Sequence, residues 1–102
     1  MSRSGAICLA IYQPDRDLLR AQIESLAMQT ETDWDCHIGI DGRDDSVADY
    51  LAGLVGTDAR FSITMYETNV GFYRNFERLV EEVSPTAEWV ALADQDDWWF
   101  PG

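Results

Sequence analysis

The segment at residues 89–101, WVALADQDDWWFP, carries the side chains of this chain that are best suited to chemistry. Its short apolar run predicts a buried strand, and three carboxylates follow, those of Asp94, Asp96 and Asp97. Carboxylates so close together repel one another unless a cation lies among them. In an extended chain Asp94 and Asp96 point the same way, roughly 6.5 to 7 Å apart, and can reach one ion directly or through its water. This spacing predicts a divalent cation that binds together with a phosphorylated ligand.

Size and charge limit the classes of protein to consider. The chain has 102 residues, 46% of them hydrophobic, which suits one domain with a single core. Its 19 acidic and 7 basic residues give a net charge of -12, which disfavours nucleic acids and anionic membranes, because both bind clustered cations. All seven basic residues are arginine. The absence of lysine excludes a Walker A loop and Schiff-base catalysis, and it weakens a receiver domain as an interpretation.

The two cysteines and the single histidine are predicted to be structural. Cys8 and Cys36 fall inside apolar runs, which predicts buried thiols in a reducing compartment rather than a disulfide or a metal pair. His37 lies within a predicted strand and is interpreted as a packed or edge residue. No apolar stretch approaches the roughly 20 residues of a membrane helix. We therefore expect no transmembrane segment and a cytoplasmic location, which is compatible with peripheral attachment of the full-length protein at the inner membrane face.

Apolar periodicity predicts strands that alternate with helices along the whole chain. The predicted strands cover residues 6–12, 34–41, 61–65 and 89–93. The helices between them have apolar stripes that comprise Leu18, Leu19, Ile23, Leu26 and Ala27, then Val47, Tyr50, Leu51, Leu54 and Val55, then Phe72, Phe76, Leu79, Val80 and Val83. Asp15 is predicted to cap the first helix, and Asp44 and Asp45 the second. This alternation predicts an α/β fold with a Rossmann-like, mostly parallel sheet and flanking helices.

Acidic residues recur in the segments that follow the predicted strands. These segments are 12–15, 41–45, 67–71 and 94–97. The carboxyl ends of parallel strands lie at one edge of a sheet, and ligands of such sheets bind there. We therefore expect the four segments to lie at one rim, where the acidic residues of three separate loops converge.

Four pieces of the chain, taken in order, resemble the N-terminal, donor-binding half of a family 2 glycosyltransferase. They are AICLAIYQPDRDLLRAQIESLAMQT, IGIDGRDDS, NVGFYRNFERLVE and WVALADQDDWWFP, and together they span Ala6 to Pro101. The form DQDDWW is particularly similar to rhamnosyltransferase-like members. The resemblance implies the nucleotide-binding half of a GT-A fold, with a nucleotide-diphosphate sugar of the UDP or dTDP type and Mn²⁺ or Mg²⁺ as cofactor.

The resemblance also implies roles for individual residues. Asp96 becomes the direct metal ligand, and Asp94 assists through the ribose, the sugar or metal-bound water. Gln95 lies against the donor, and Asp41 accepts the N–H of the base. Residues from Ala10 to Tyr12 line the nucleobase pocket, whereas Arg74 lies near the uracil or thymine ring or the phosphates, unless it is a solvated helix residue.

The chain departs from the family pattern at two places, which affects the expected contacts to the base. Ile40 stands where the family usually has a second acid before Asp41, so one polar contact is absent or replaced. The first strand ends in Ile11-Tyr12-Gln13 instead of a Thr-Tyr-Asn or Ser-Tyr-Asn sequence.

The implied activity is metal-assisted, inverting transfer of a sugar to a cell-surface glycan or a lipid-linked acceptor. Because this family supplies the catalytic base from a carboxylate downstream of the D-x-D segment, we expect that base beyond Gly102. On this interpretation residues 1–102 are a truncated half of the domain that binds donor alone. A noncatalytic nucleotide-binding or interaction module is the alternative from another class.

The aromatic residues Trp98, Trp99 and Phe100 have two interpretations. They form either a core or subunit contact, which includes a homodimer through exposed apolar surface, or a platform on which a sugar stacks.

Two other enzyme classes are disfavoured. The loop after the first strand, IYQPDRD, is neither glycine-rich nor basic as in nucleotidyltransferases, and G-x-G-x-x-G of NAD enzymes is absent.

Overall fold

Four parallel strands form one sheet in the order β3-β2-β1-β4. The structure is a computed structural model and describes residues 4–12, 14–28, 33–83 and 85–94, without the side chains of residues 72, 73 and 94. The elements are β1 Gly5–Ile11, α1 Arg16–Ala27, β2 Trp34–Asp41, α2 Asp45–Val55, β3 Phe61–Tyr66, α3 Phe72–Glu82 and β4 Trp89–Asp94. The predicted α/β fold is confirmed, and the predicted strand ends agree within one residue.

Aspartates cap the first two helices, as the sequence predicts. The carboxylate of Asp15 accepts hydrogen bonds from the amides of Asp17 and Leu18, at the start of α1. Asp44 accepts from the amide of Val47 at the start of α2, whereas Asp45 is the first helical residue. These carboxylates satisfy amides that have no partner within the helix, and their charge is favourable at a helix N-terminus.

Helices α1 and α2 cover one face of the sheet and build the larger apolar core. Trp34, Ile38 and Ile40 of β2 pack there with Leu19, Ile23 and Leu26 of α1 and with Val47 and Leu51 of α2. Leu18 was expected on the buried stripe of α1 but is 43% exposed. The stripe is formed by Leu19, Ile23 and Leu26, and a residue next to such a stripe points about 100° away from it.

Helix α3 covers the other face, over β1 and β2. The buried apolar residues here are fewer: Cys8, Ala10, Phe76 and Leu79. Gly39 of β2 permits the close approach of the helix, since a Cβ at this position would lie 2.9 Å from a methyl carbon of Leu79. Val80 was expected on the buried stripe but is exposed, because it lies one position beyond Leu79 on the helix.

Strand β4 lies at an edge of the described sheet and pairs there with β1 alone. The apolar run 89–93 was predicted to be a buried strand, but Trp89, Val90 and Leu92 are all exposed. Only Ala93 is fully buried. The prediction of burial was therefore wrong for most of this strand, because an apolar run does not show how many neighbours its strand has.

Both cysteines are buried and free, as predicted. Burial raises the pKa of the Cys8 thiol to about 11, with a smaller contribution from the negative charge of Glu82, and burial also raises the pKa of Cys36. His37 is half-buried within β2, and its Nδ1 lies 3.3 Å from the hydroxyl of Ser62. In the described ranges no helix has the length and apolar character needed to span a membrane.

Candidate functional site

A cleft of about 120 Å³ opens at the carboxyl edge of the sheet, beyond the ends of β1 and β2. Its walls come from the segments after β1, β2 and β3, and its lining residues are Tyr12, Pro14, Ile40, Asp41, Gly42, Arg43, Asp44 and Asn69. The structure therefore brings together three of the four segments that were expected to form one rim. Tyr12 is half exposed and stands on the wall that β1 contributes.

Asp41 is the buried carboxylate of this cleft, with 5% of its surface exposed. Its Oδ1 accepts from the amide of Val70 at 2.8 Å, and its Oδ2 accepts from the amide of Gly71 at 2.9 Å. Gly71 is the N-cap of α3 and has a φ of 88°, a conformation that glycine adopts without strain. Asp41 thus fixes the loop before α3 against the end of β2 and places negative charge at a helix N-terminus.

Arg78 of α3 is the cationic partner of Asp41. Its Nη2 lies 3.0 Å from Asp41 Oδ1 and 3.2 Å from Asn75 Oδ1, and its Nη1 donates to the carbonyl of Thr68 at 3.2 Å. The guanidinium carbon lies 3.7 Å from the centre of the Tyr66 ring. One arginine therefore joins the carboxylate, the loop after β3 and the last residue of β3.

Asn75 connects this cluster to the sheet itself. Its side chain is buried and donates through Nδ2 to the carbonyl of Gly39 at 3.0 Å, while its Oδ1 accepts from Arg78. A buried amide costs free energy unless its hydrogen bonds are satisfied, and here both ends of the amide have partners. The result is a polar network between β2 and α3 that ends at the carboxylate in the cleft.

Arg43 is the only cation among the described residues that line the cleft. Its guanidinium lies 3.4 Å from Asp45 and 3.5 Å from Glu67, and its side chain is 58% exposed. Ion pairs that are this exposed contribute little to stability and leave the guanidinium free to change partners. Arg43 is therefore able to turn toward an anionic ligand.

Asp44 also lines the cleft, but its interactions are those of a helix cap. The hydrogen bond from the Val47 amide, followed by that from the Ser46 hydroxyl, lowers the pKa of this carboxyl. Arg16 lies near the same group and donates to the Ser46 hydroxyl at 2.9 Å. This arrangement agrees with the capping role that was predicted for Asp44.

Two residues expected to contact the donor lie away from this cleft. Ala10 was placed in the nucleobase pocket, but it is buried on the face of the sheet that α3 covers, with Phe76 and Leu79 in the same cluster. Arg74 is an exposed residue of α3 that does not line the cleft. Ala10 lies within β1, one residue before its end, whereas the cleft opens beyond the strand end and is lined by Tyr12.

The carboxylate cluster after β4 is described only at its beginning. The backbone of Asp94 pairs with that of Ala10 at the carboxyl end of β4, and β1 and β4 are the neighbours at which the strand order reverses. Such a switch point is where ligands of open α/β sheets bind. Gln95, Asp96, Asp97 and the aromatic residues 98–100 lie outside the described residues. Within the described residues alone, no three His, Cys, Asp or Glu side chains converge as a metal site would require.

Sequence reasoning gave no role to Arg78 or Asn75. Two signals pointed to them. A carboxylate at the end of a buried strand needs a cation or donors nearby, and Asn75 and Arg78 are three apart on α3 and share a face of that helix. Arg74 and Arg78 are four apart on the same helix, so that helical spacing alone does not choose between the two arginines.

Comparison with known proteins identifies the family. The family model "Glycosyl transferase family 2" matches residues 6–102. Crystal structures of S. aureus TarS are similar in fold: that of TarS 1-349 and a second TarS structure each have a TM-score of 0.76, 17% sequence identity and 96% of this chain covered. The chain spans 28% and 17% of those two structures. No curated protein sequence matches. Because the family model matches nearly the whole chain, this chain belongs to glycosyl transferase family 2.

Proposed function

We propose that this chain is the donor-binding part of an inverting, metal-assisted glycosyltransferase that uses a UDP- or dTDP-sugar. The observation that carries the proposal is the cleft at the carboxyl edge, in which the buried Asp41 carboxylate and the Arg43 guanidinium face one space. A carboxylate accepts an N–H, such as that of uracil or thymine, and a guanidinium binds phosphate oxygens. These are the two ends of a nucleoside diphosphate. Family membership supports the same class of ligand.

The chemistry of the residues after β4 fits Mn²⁺ or Mg²⁺. Both ions prefer oxygen ligands, and the sequence offers two carboxylates, Asp94 as the last residue of β4 and Asp96 two positions later. We assign the direct ligand to Asp96 and an assisting role to Asp94, with Gln95 against the donor. When bound, such an ion neutralises the negative charge that develops on the departing diphosphate.

The chain's own residues bind and orient the donor. Asp41 accepts from the base, and Tyr12 closes the side of the cleft next to β1. Arg43 approaches the phosphates by exchanging its exposed carboxylate partners for phosphate oxygens. Acidic lining residues alone repel a diphosphate, so a metal ion and Arg43 must together compensate the charge. We also propose that Arg74 contacts the phosphates at a point outside this cleft.

The acceptor and the location of the protein belong to the same proposal. We propose a cell-surface glycan or a lipid-linked sugar as acceptor and a cytoplasmic site of action. We also propose that residues 1–102 bind donor without transferring sugar to an acceptor, since a base must lie within hydrogen-bond reach of the acceptor hydroxyl and we assign none among these residues.

Calorimetry on residues 1–102 tests the proposal with UDP and dTDP, each titrated with and without MnCl₂. We expect Mn²⁺ to raise nucleotide affinity by about tenfold or more, which corresponds to about 1.4 kcal/mol. Asp96→Ala should remove this gain and leave the metal-free affinity unchanged. Asp41→Ala should weaken nucleotide binding both with and without the ion.

The matched control is Glu24→Ala, which removes an exposed carboxylate from α1 far from the cleft and should leave both affinities unchanged. Equal nucleotide affinity with and without Mn²⁺ would contradict the role of the metal. Absence of UDP and dTDP binding under either condition would contradict the donor site as a whole.

A further inference from the structure

We propose that Arg78 is a positioning residue for recognition of the nucleobase. It acts through Asp41, which it holds in the orientation that accepts the N–H of uracil or thymine. The inference rests on the proposed function and adds to it a residue that does not line the cleft.

The first step is the fixed orientation of the Asp41 carboxylate. Its oxygens accept from the amides of Val70 and Gly71 and from Nη2 of Arg78, at distances between 2.8 and 3.0 Å. An ionised carboxylate has about four acceptor positions. These three bonds leave about one position within the described structure, and Asp41 lines the cleft. The carboxylate is therefore prevented from rotating and retains capacity for one more donor.

The second step is the way in which Arg78 is itself held. Its guanidinium stacks on the ring of Tyr66, and the hydroxyl of Tyr66 donates to Glu82 at 2.9 Å. Burial first, and then the hydrogen bond to Glu82, raise the pKa of Tyr66 to about 12, so that the ring stays neutral beneath the cation at physiological pH. Stacking fixes the plane of the guanidinium, and its second nitrogen reaches the carbonyl of Thr68. A lysine carries the same charge, but its ammonium group is not planar and cannot donate to two partners in the fixed geometry of a guanidinium.

The third step is the effect on the loop that forms the opposite wall. Arg78 binds the carbonyl of Thr68, and Asp41 binds the amides of Val70 and Gly71. Asn69 lies between these anchor points and lines the cleft. Its Oδ1 accepts from the amide of Gly71 at 3.1 Å. Arg78 and Asp41 thus place both walls of the cleft relative to each other.

The fixed orientation of the Asp41 carboxylate predicts which nucleobases the site prefers. A carboxylate with a fixed acceptor position accepts the N3–H of uracil or thymine, whereas cytosine presents an unprotonated N3 and is disfavoured. Sites that are built to hydrogen-bond one group discriminate strongly against an analogue that lacks it. When the carboxylate is free to rotate, this discrimination weakens, whether or not the nucleotide still binds.

The experiment measures the ratio of UDP to CDP affinity for the full chain in the presence of Mn²⁺. The variants are Arg78→Met, which removes the charge and the N–H donors of the guanidinium, and Arg78→Lys, which keeps the charge but lacks the planar guanidinium. We expect the wild-type chain to prefer UDP, Arg78→Met to lower the UDP/CDP ratio by about tenfold, and Arg78→Lys to recover part of it. If Arg78→Met does not fold, Arg78→Lys provides the test by itself. Its UDP/CDP affinity ratio should lie below that of the wild-type chain.

Arg60 provides the matched control. Like Arg78, it pairs with an aspartate, Asp58 at 2.7 Å, and stacks on an aromatic ring, that of Trp34, but it lies at the amino end of β3, away from the cleft. Arg60→Met should lower the free energy of unfolding and keep the wild-type ratio. A ratio in folded Arg78→Met and Arg78→Lys equal to that of the wild-type chain would overturn the inference and leave the donor site standing. A wild-type chain that binds neither nucleotide would overturn both.

Discussion

The two faces of the sheet are built in different ways. The face under α1 and α2 is closed by a continuous apolar cluster in which Trp34, Ile38 and Leu51 are almost fully inaccessible. The face under α3 has, among the described residues, a small buried apolar cluster and, beside it, the polar network of Asp41, Asn75 and Arg78. Apolar packing is strong and non-directional, whereas hydrogen bonds and ion pairs define orientation. The first face therefore supplies most of the stability, and the second holds the residues of the cleft in place.

Adjacent residues of β2 allow the two faces to be compared directly, and Ile38 gives the largest expected effect. Its side chain is completely buried beneath α1 and α2. Ile38→Ala should lower the free energy of unfolding by about 2–5 kcal/mol, through lost burial and the cavity that remains. Urea denaturation followed by circular dichroism measures this loss. Nucleotide affinity of the folded fraction should stay at the wild-type value, and a change in that affinity would show that the faces are not separable.

Gly39 is the corresponding position on the α3 face, and its substitution should lower the free energy of unfolding by less than that of Ile38. An added Cβ would lie 2.9 Å from Leu79 Cδ2 and 3.0 Å from Asn75 Oδ1, so α3 must shift or the amide must move. Gly39→Ala should cost about 1–3 kcal/mol. Because the amides of Val70 and Gly71 depend on the same network, their hydrogen exchange should accelerate.

Gly53→Ala is the control for this substitution. Gly53 lies within α2, and a Cβ there meets no atom within 4 Å. The same chemical change should therefore stabilise the chain by about 0.5–1 kcal/mol, since glycine is unfavourable inside a helix. If Gly39→Ala were also neutral or stabilising, with unchanged exchange at Val70 and Gly71, the close contact between α3 and β2 would be contradicted.

The smallest expected effect depends on pH and concerns the cap of α2. Hydrogen bonds from Val47 and then from Ser46 lower the pKa of Asp44 in the folded chain, so this carboxyl binds its proton less readily when folded. Its contribution to stability is therefore present above the ordinary carboxyl pKa and is lost as pH falls through the lowered folded value. The difference in unfolding free energy between wild type and Asp44→Ala should be larger at neutral pH than at about pH 3.

Asp44→Ser separates the cap from its charge. A serine hydroxyl still accepts from the amide of Val47 but does not titrate in this range. The stability difference between Asp44→Ser and Asp44→Ala should thus be the same at both pH values. A pH-independent difference between wild type and Asp44→Ala would contradict the coupling of this cap to protonation.

Periodicity predicted the elements, the caps and the fold, because these depend on residues close together in the chain. Asp15 and Asp44 lie next to the amides that they cap, and strand alternation is visible in the sequence itself. The exposure of β4 was not predictable in this way, since it depends on which strands lie beside it. The choice of Arg78 over Arg74 as partner of Asp41 depends on how α3 is placed on the sheet, and residues 41 and 78 come together only in three dimensions.

The strand order has a consequence for how the chain folds. Of the four described strands β1 is synthesised first, but one of its two neighbours is β4, so that Gly5 pairs with Trp89 and Ala10 with Asp94. Contacts between residues so distant in sequence form slowly, because the chain loses the entropy of closing a long loop before these contacts stabilise it. Until then β1 presents an unpaired edge to other chains. The same late pairing brings the backbone of Asp94 beside Ala10 near the carboxyl end of β1, so this part of the rim forms only after β4 has paired.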